Sequence, residues 1–336
     1  MKVKMSRKFV TELADGEPID EVFLAGDKQL RPNRNGQLYL QVRLSDKTGS
    51  LTAMLWNADQ RQYDQFNNGD FLRVSGTAQL YGGNMQVIVK SLRRVEATEV
   101  EPSDFETMSS VRIAELVNSL QSLIDSIRNV HLRRLGTSLL ADQDLMDKFV
   151  RAPAGVKNHH AYQGGLLEHV VALAQLAAAV SRLYDELDPD LMIMGAVLHD
   201  IGKIDELTYA ADLGYSDEGQ LVGHLIQGVS LLDRKLAELA QRHGEPFPAD
   251  LAMQLRHVIV SHHGEYEFGS PKLPMTREAI ALHYLDNLDA KLATVRQLIR
   301  EDANSSSVWT SYNAMLGRKI YKGPGAPTAS DGIRDG

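Results

Sequence analysis

The sequence predicts a multidomain protein in which an all-β barrel precedes an all-α domain. Three observations carry that expectation. Between Ile19 and Leu92 apolar and polar residues alternate with the period of strands, and turn-forming pairs interrupt the run. From Val111 onward apolar residues recur three and four positions apart, the period of helices. Between these regions, residues 97–110, ATEVEPSDFETMSS, are acidic, polar and poor in large apolar side chains, the composition of a connector.

In chain order, the alternation places five strands near 19–30, 37–45, 50–56, 71–80 and 84–94, with turns at Asn35-Gly36, Lys47-Thr48-Gly49 and Gly82-Gly83. A short helix between Ala58 and Phe66 precedes Asn67-Asn68-Gly69-Asp70. A helix between the third and fourth of five strands is the order of an OB-fold, which binds single strands across its second and third strands. Alternation then assigns faces. Leu38, Leu40, Val42 and Leu44 fill the barrel with Leu51, Ala53 and Leu55, while Tyr39, Gln41, Arg43, Thr52, Met54 and Trp56 turn outward. Tyr39, Arg43 and Trp56 are thus candidates to stack on bases and bind single-stranded nucleic acid. The competing reading makes Tyr39 and Trp56 an ordinary cross-strand pair. Arg73 and Tyr81 read as surface and loop residues.

The helical half opens with two expected helices between Val111 and Val150. Beyond them, ionisable residues fall on apolar stripes, because residues three and four apart share a face. His169 lies in line with Leu166, Val170, Leu173, Leu176 and Val180, and Asp200 continues Met192, Ile193, Ala196 and Val197 with His199 beside it. His224 shares a face with Leu221, Leu225, Gly228, Leu231 and Leu232; His262 and His263 extend the row of Leu255, Val258 and Ile259. Asp286 follows Ala279 and Leu282, with Asp289 one turn on. A lone inward histidine is ordinarily a hydrogen-bonded core residue. Five imidazoles and two carboxylates in one core carry a desolvation cost that a cation would offset. The chain has no cysteine, so the donors are nitrogen and oxygen, suited to manganese, iron, magnesium, cobalt or zinc.

The surrounding text narrows the reading. APAGVKNHHAYQGGLLEHV (152–170), GAVLHDIGK (195–203), LVGHLIQGV (221–229), SHHGEYEFGSPKLPMTREA (261–279) and LHYLDNLDAK (282–291) occur in this order. The arrangement H…HD…H…HH…D is that of the HD-domain superfamily of metal-dependent phosphohydrolases. Together with the barrel, the chain resembles the YhaM-type 3'-to-5' exoribonucleases, nearly to its tail. The resemblance implies a metal-dependent enzyme that hydrolyses single-stranded RNA to nucleoside 5'-monophosphates, with manganese the favoured ion. It implies that His169, His199, Asp200 and Asp286 hold one ion and Asp200, His224, His262 and His263 a second, Asp200 bridging; some HD enzymes use only the H…HD…D quartet and one ion. No protein nucleophile is then required. Self-association into a homo-oligomer is a further implication.

Around this set, Lys203 lies one turn past His199 and is a catalytic candidate that could meet a phosphate oxygen, the competing reading being a solvated lysine. Lys157, His159 and His160 precede the first metal helix in a loop and are candidates to grip the terminal nucleotide. Tyr266, Glu267 and Ser270-Pro271 could line the entrance, and His283 could support a ligand. His131, His243 and His257 fall off the stripes and read as solvent-facing. SVWTSYNAMLGRKIY (307–321) resembles the family's closing segment, with Trp309, Arg318 and Tyr321 in packing or RNA contact.

The expected organisation is an OB-fold nucleic-acid-binding domain at 1–98, a linker at 99–110, a helical HD domain at 111–322 and a disordered tail at 323–336. The overall charge of -8 divides unevenly: residues 1–98 hold 14 Lys and Arg against 11 Asp and Glu, +3, leaving 22 against 33, -11. The basic surplus is modest, so charge alone does not point to nucleic acid. An N-terminus without an apolar run and the absence of long uncharged stretches argue for a cytoplasmic protein with no membrane segment. RNA and single-stranded DNA both remain open as partners, because the 2'-hydroxyl contact that separates them is not legible in sequence. Two other readings stand beside the nuclease: an HD phosphohydrolase of small or cyclic nucleotides with a regulatory barrel, and a single-strand DNA-binding factor of replication or repair. No GYP-like text follows the HD segment, which weighs against the cyclic-dinucleotide branch.

Overall fold

The computed structural model describes residues 7–82, 84–105, 108–156, 162–209, 214–302, 307–314 and 316–323. By packing, residues 7–105 and those from 294 onward group as one unit, and residues 108–209 and 214–293 as another.

In the first unit the alternating segments become β1 (Pro18–Pro32), β2 (Leu38–Asp46), β3 (Gly49–Trp56), β4 (Phe71–Tyr81) and β5 (Asn84–Val95), with α1 (Gln60–Asp64) between β3 and β4. They form a closed barrel in the order β1-β2-β3-β5-β4. Closure comes from parallel pairing of β3 with β5, in which Ala53 faces Val87, so no edge strand is left open. The inward positions pack as read: Leu40, Val42, Leu44, Leu51, Ala53 and Leu55 are buried around Phe23, Leu72, Val74 and Val87. Leu38 departs from the expectation. It opens β2 and is 38% exposed, since the barrel wall closes only from Leu40 inward. Asp59 caps α1 by accepting from Gln62 N at 2.8 Å.

The second unit begins with three helices among its described residues, where two were expected: α2 (Ser110–Asp125), α3 (Val130–Leu140) and α4 (Gln143–Phe149). The extra break falls at Asp142, whose carboxylate accepts from Leu145 N and starts α4 afresh. Then come α5 (Gly165–Val180), α6 (Pro189–Leu198), α7 (Lys203–Glu206), the two-residue strands β6 (Leu207–Thr208) and β7 (Gly214–Tyr215), α8 (Asp217–Val222), α9 (His224–His243), α10 (Ala249–Ser261) and α11 (Arg277–Glu301). The centre of this unit is α6. Pro189 and the Asp188 cap start it, and all eight residues from Leu191 to Leu198 are buried, as an apolar helix without a polar face must be. It packs against α5 and α10. One stripe was misread: Leu221 belongs to α8, not to the helix of His224, and is 87% exposed.

No helix among the described residues is long and apolar enough to cross a membrane. The expected tail lies outside the described residues beyond Gly323. The preceding segment forms a short antiparallel ladder in which Trp309 pairs with Tyr321 and Asn313 with Arg318.

Candidate metal centre

Each of the seven candidate ligands reaches the centre from the end or inner face of a helix. His169 sits on the buried face of α5 and is 2% exposed. His199 caps the C-terminus of α6, Asp200 follows it, and both are buried because α6 is buried on every side. His224 is the first residue of α9, and His262 caps the C-terminus of α10 with His263 beyond. Asp286 lies on the inner face of α11. The helices therefore converge on one point, and the structure brings all seven together.

Two glycines permit this convergence. A Cβ on Gly202 would stand 2.0 Å from His224 O and 2.7 Å from Gly228 N, so only glycine lets the turn after Asp200 touch the first turn of α9. Gly264 has φ +82, and a Cβ there would fall 2.0 Å from the His283 ring. That ring then donates from Nδ1 to His262 O at 2.8 Å, which fixes the chain between the two ligands.

The five imidazoles are oriented by their outer nitrogens. His199 Nδ1 lies 2.8 Å from Ala196 O, His262 Nδ1 2.8 Å from Ile259 O and His263 Nδ1 3.0 Å from Phe268 O. A carbonyl only accepts, so Nδ1 donates in all three, which turns Nε2 inward, the nitrogen that a neutral ring would offer to an ion. His224 Nδ1 bonds Glu206 Oε1 at 2.9 Å, and His169 Nδ1 bonds Asp289 Oδ2 at 2.7 Å. This is the outer shell that metal-binding histidines require.

The inner atoms form two trios. His169 Nε2 and His199 Nε2 are 3.2 Å apart and lie 3.9 and 3.3 Å from Asp200 Oδ2. Asp286 Oδ1 closes this group at 3.2 Å from His169 Nε2 and 4.0 Å from His199 Nε2. On the other side, His262 Nε2 and His224 Nε2 stand 3.4 and 3.6 Å from Asp200 Oδ1, and His224 Nε2 is 3.2 Å from His263 Nε2. The Asp200 carboxylate thus offers one oxygen to each trio. Ligands about 2.0–2.2 Å from a common ion stand about 3.0–3.5 Å from one another, and the nearer pairs here, at 3.2 to 3.4 Å, have that spacing while the others reach 4.0 Å.

The fit to a cation rests on Asp200 Oδ1, a buried oxygen with no hydrogen-bond partner among the described residues. It faces His262 Nε2 and His224 Nε2 at 3.4 and 3.6 Å. Burial pushes His262 down, and burial with His262 and His224 pushes His263 down to about 4, so both are neutral donors. Burial also opposes a charge on His169, but its hydrogen bonds to Asp286 and Asp289 prevail and raise it to about 9. Without an ion, a proton on that ring answers the carboxylates. Burial opposes the Asp200 charge too, yet Lys203 and His199 hold its carboxyl well below the usual carboxylate range.

Lys203 lies neither in solvent nor toward open space. Its Nζ bonds Asp200 Oδ2 at 2.6 Å and Ala154 O at 2.7 Å. Lys157, His159 and His160 lie outside the described residues. On the barrel, Tyr39 and Trp56 face each other across β2 and β3 with ring centroids 5.3 Å apart, Trp56 being 47% exposed. Arg43 pairs with Thr52 further along the same strands. Among the histidines read as solvent-facing, His243 is exposed, whereas His131 and His257 are half-buried, the first against Phe247 and the second accepting from Met275 N at 2.8 Å.

Glu206 escaped the sequence reading. It is the last residue of the four-residue α7, too short for any period, and it accepts from both His224 Nδ1 and His224 N. Against burial, which raises it, those contacts hold its carboxyl below the ordinary range. Glu206→Ala is expected to weaken metal binding about 10- to 100-fold, Glu206→Gln less because an acceptor remains. Manganese titration against a competing chelator would check the order, and equal affinities in all three proteins would contradict it.

A family model for the HD domain matches residues 166–291, which include all seven residues. A model for the OB-fold nucleic acid binding domain matches residues 24–95. The chain joins an OB-fold to an HD domain. An HD domain indicates a metal-dependent phosphohydrolase and implies a divalent metal, which the trios can hold. Among solved structures, the HD domain of the L. monocytogenes phosphodiesterase PgpH is 17% identical over 47% of this chain and 80% of that one, with TM-score 0.28. The second OB-fold domain of replication protein A from Methanococcus maripaludis is 24% identical over 27% of this chain and 95% of its own, with TM-score 0.21. The p204 HINb domain is 12% identical over 27% of this chain, with TM-score 0.23, and the match spans about half (47%) of its length. All three lie at low TM-score and say nothing of what this chain acts on.

Proposed function

We propose that this OB–HD protein is a metal-dependent 3'-to-5' exoribonuclease that hydrolyses single-stranded RNA to nucleoside 5'-monophosphates. The observation that carries the reading is the Asp200 carboxylate, one oxygen toward His169, His199 and Asp286 and the other toward His224, His262 and His263, in a chain that also holds an OB-fold. The polarity, the product and the preference for RNA and manganese rest on the resemblance to YhaM-type enzymes.

In this reading His169, His199, Asp200 and Asp286 hold one ion and Asp200, His224, His262 and His263 the other. Bound there, the ions would supply an activated water and neutralise charge on the phosphoryl oxygens. Glu206 and Asp289 keep His224 and His169 turned with Nε2 toward the ion each would hold. Lys203 positions Asp200 and keeps it ionised. Lys157, His159 and His160 grip the terminal nucleotide. On the barrel, Tyr39 and Trp56 stack on bases upstream while Arg43 meets the backbone. We take residues 1–98 as the RNA-feeding domain and 111–322 as the hydrolytic one.

The test is digestion of a 5'-labelled single-stranded RNA and its DNA counterpart with added manganese. A ladder shortening from the 3' end is expected, RNA faster than DNA. Trp56→Ala is expected to raise KM for long RNA about 5- to 150-fold, the worth of one stacked base, with a smaller effect on a dinucleotide. Internal cuts, or hydrolysis confined to mononucleotides and cyclic dinucleotides, would replace the exonuclease with another HD phosphohydrolase.

A further inference from the structure

The turn after the histidine pair is built into the metal centre. Phe268 O accepts His263 Nδ1 at 3.0 Å, so this residue's backbone aims a ring of the second trio. The far end is pinned as well: Gly269 takes φ +83, and the Ser270 hydroxyl, on a buried residue, donates to Lys272 O at 2.6 Å and lies 3.1 Å from Val260 O. On this anchored turn the side chains of Tyr266 and Phe268 are 64% and 62% exposed.

Two large rings held in water on a fixed turn are an unused stacking surface. Its neighbours say what it suits. Glu265 and Glu267 flank Tyr266 and are exposed, so the rim repels phosphate and favours the uncharged part of a nucleotide. The turn also borders the chemistry: Phe268 O holds His263 Nδ1 at 3.0 Å, and His263 Nε2 lies 3.2 Å from His224 Nε2.

We infer that Tyr266 and Phe268 form a platform that stacks the base of the nucleotide whose phosphodiester lies at the metal centre. The inference rests on the phosphodiesterase reading above and adds the group by which the nucleotide is held. Because every base has a π-face, such a platform grips any base.

The experiment compares two single-stranded oligonucleotides that differ only at the 3'-terminal nucleotide, one carrying its base and one abasic. Both are digested with manganese by the unaltered protein, Phe268→Ala, Tyr266→Ala and Phe268→Trp. Alanine at 268 keeps the carbonyl that holds His263, and because each variant is read as a ratio of two substrates, any loss at the metal centre common to both cancels. The unaltered protein is expected to release the base-bearing nucleotide with kcat/KM about 5- to 150-fold above the abasic one. Both alanine variants should bring that ratio toward one, and Phe268→Trp should restore it. Equal rates on the two substrates by the unaltered protein overturn the platform. So does a ratio unchanged in the alanine variants, and if native mass shifts in those variants the turn is a protein-binding face instead. No release from either oligonucleotide overturns the phosphodiesterase reading and the platform with it.

Discussion

Asp200→Asn is expected to remove manganese-dependent hydrolysis almost entirely, by more than the about 10- to 100-fold that losing an outer-shell partner costs. The change preserves volume and removes the charge that both trios share. It also strips Lys203 of its carboxylate, leaving a largely buried ammonium on Ala154 O alone. Breaking a buried pair from one side costs about 3–5 kcal/mol, so metal-free Asp200→Asn should melt well below the unaltered protein. Asp200→Asn with Lys203→Met removes the orphaned charge and should recover much of that stability without activity. Thermal melting and nucleotide release, measured on the same three proteins, separate folding from chemistry. Activity surviving in Asp200→Asn would mean that the cluster is not where the reaction occurs.

Gly202→Ala is expected to be among the most damaging single methyls in the helical unit. Gly202 has an ordinary helical φ of -65, so the residue is selected by space rather than by conformation. Its added Cβ meets the backbone of His224 and Gly228 at 2.0 and 2.7 Å, and backbone in a packed helix cannot rotate away as a side chain can. The start of α9 must move, carrying His224 out of its trio. Overpacking of this kind costs about 1–3 kcal/mol, and metal affinity at the second trio should fall with it. Gly228→Ala is the control: its Cβ meets Ile259 Cγ2 at 3.3 Å and Gly202 N at 3.5 Å, contacts that small adjustments absorb. Melting and manganese binding should both rank Gly228→Ala near the unaltered protein and Gly202→Ala far below. The reverse order would mean that the close approach of the two helices does not govern the site.

Much of this was legible before the structure because burial leaves a period. The inward and outward sets of β2 and β3 follow from alternation of two in a barrel with one wet face, and the inward set fails only at Leu38, where the wall opens. The metal-facing residues were legible for the same reason, since His169 and Asp286 occupy core positions of amphipathic helices and α6 carries His199 and Asp200 into the centre. What stayed hidden has no period. Glu206 sits on a single helical turn, the Phe268 and Ile259 contacts use backbone carbonyls, and the Lys203–Asp200 pair depends on which way a long side chain folds. The break between α3 and α4 escaped because Asp142 interrupts a run of leucines that is helical on both sides.

In the proposed reading one carboxylate, that of Asp200, joins two ion sites. Calorimetric titration of manganese into chelator-stripped protein, with metal content of the loaded protein measured in parallel, tests this. Two ions per chain are expected in the unaltered protein, and in Asp200→Asn both sites weakened together, because each trio loses the oxygen it shares. A single ion per chain, or loss of one site in Asp200→Asn with the other at full affinity, would contradict the bridging role of Asp200.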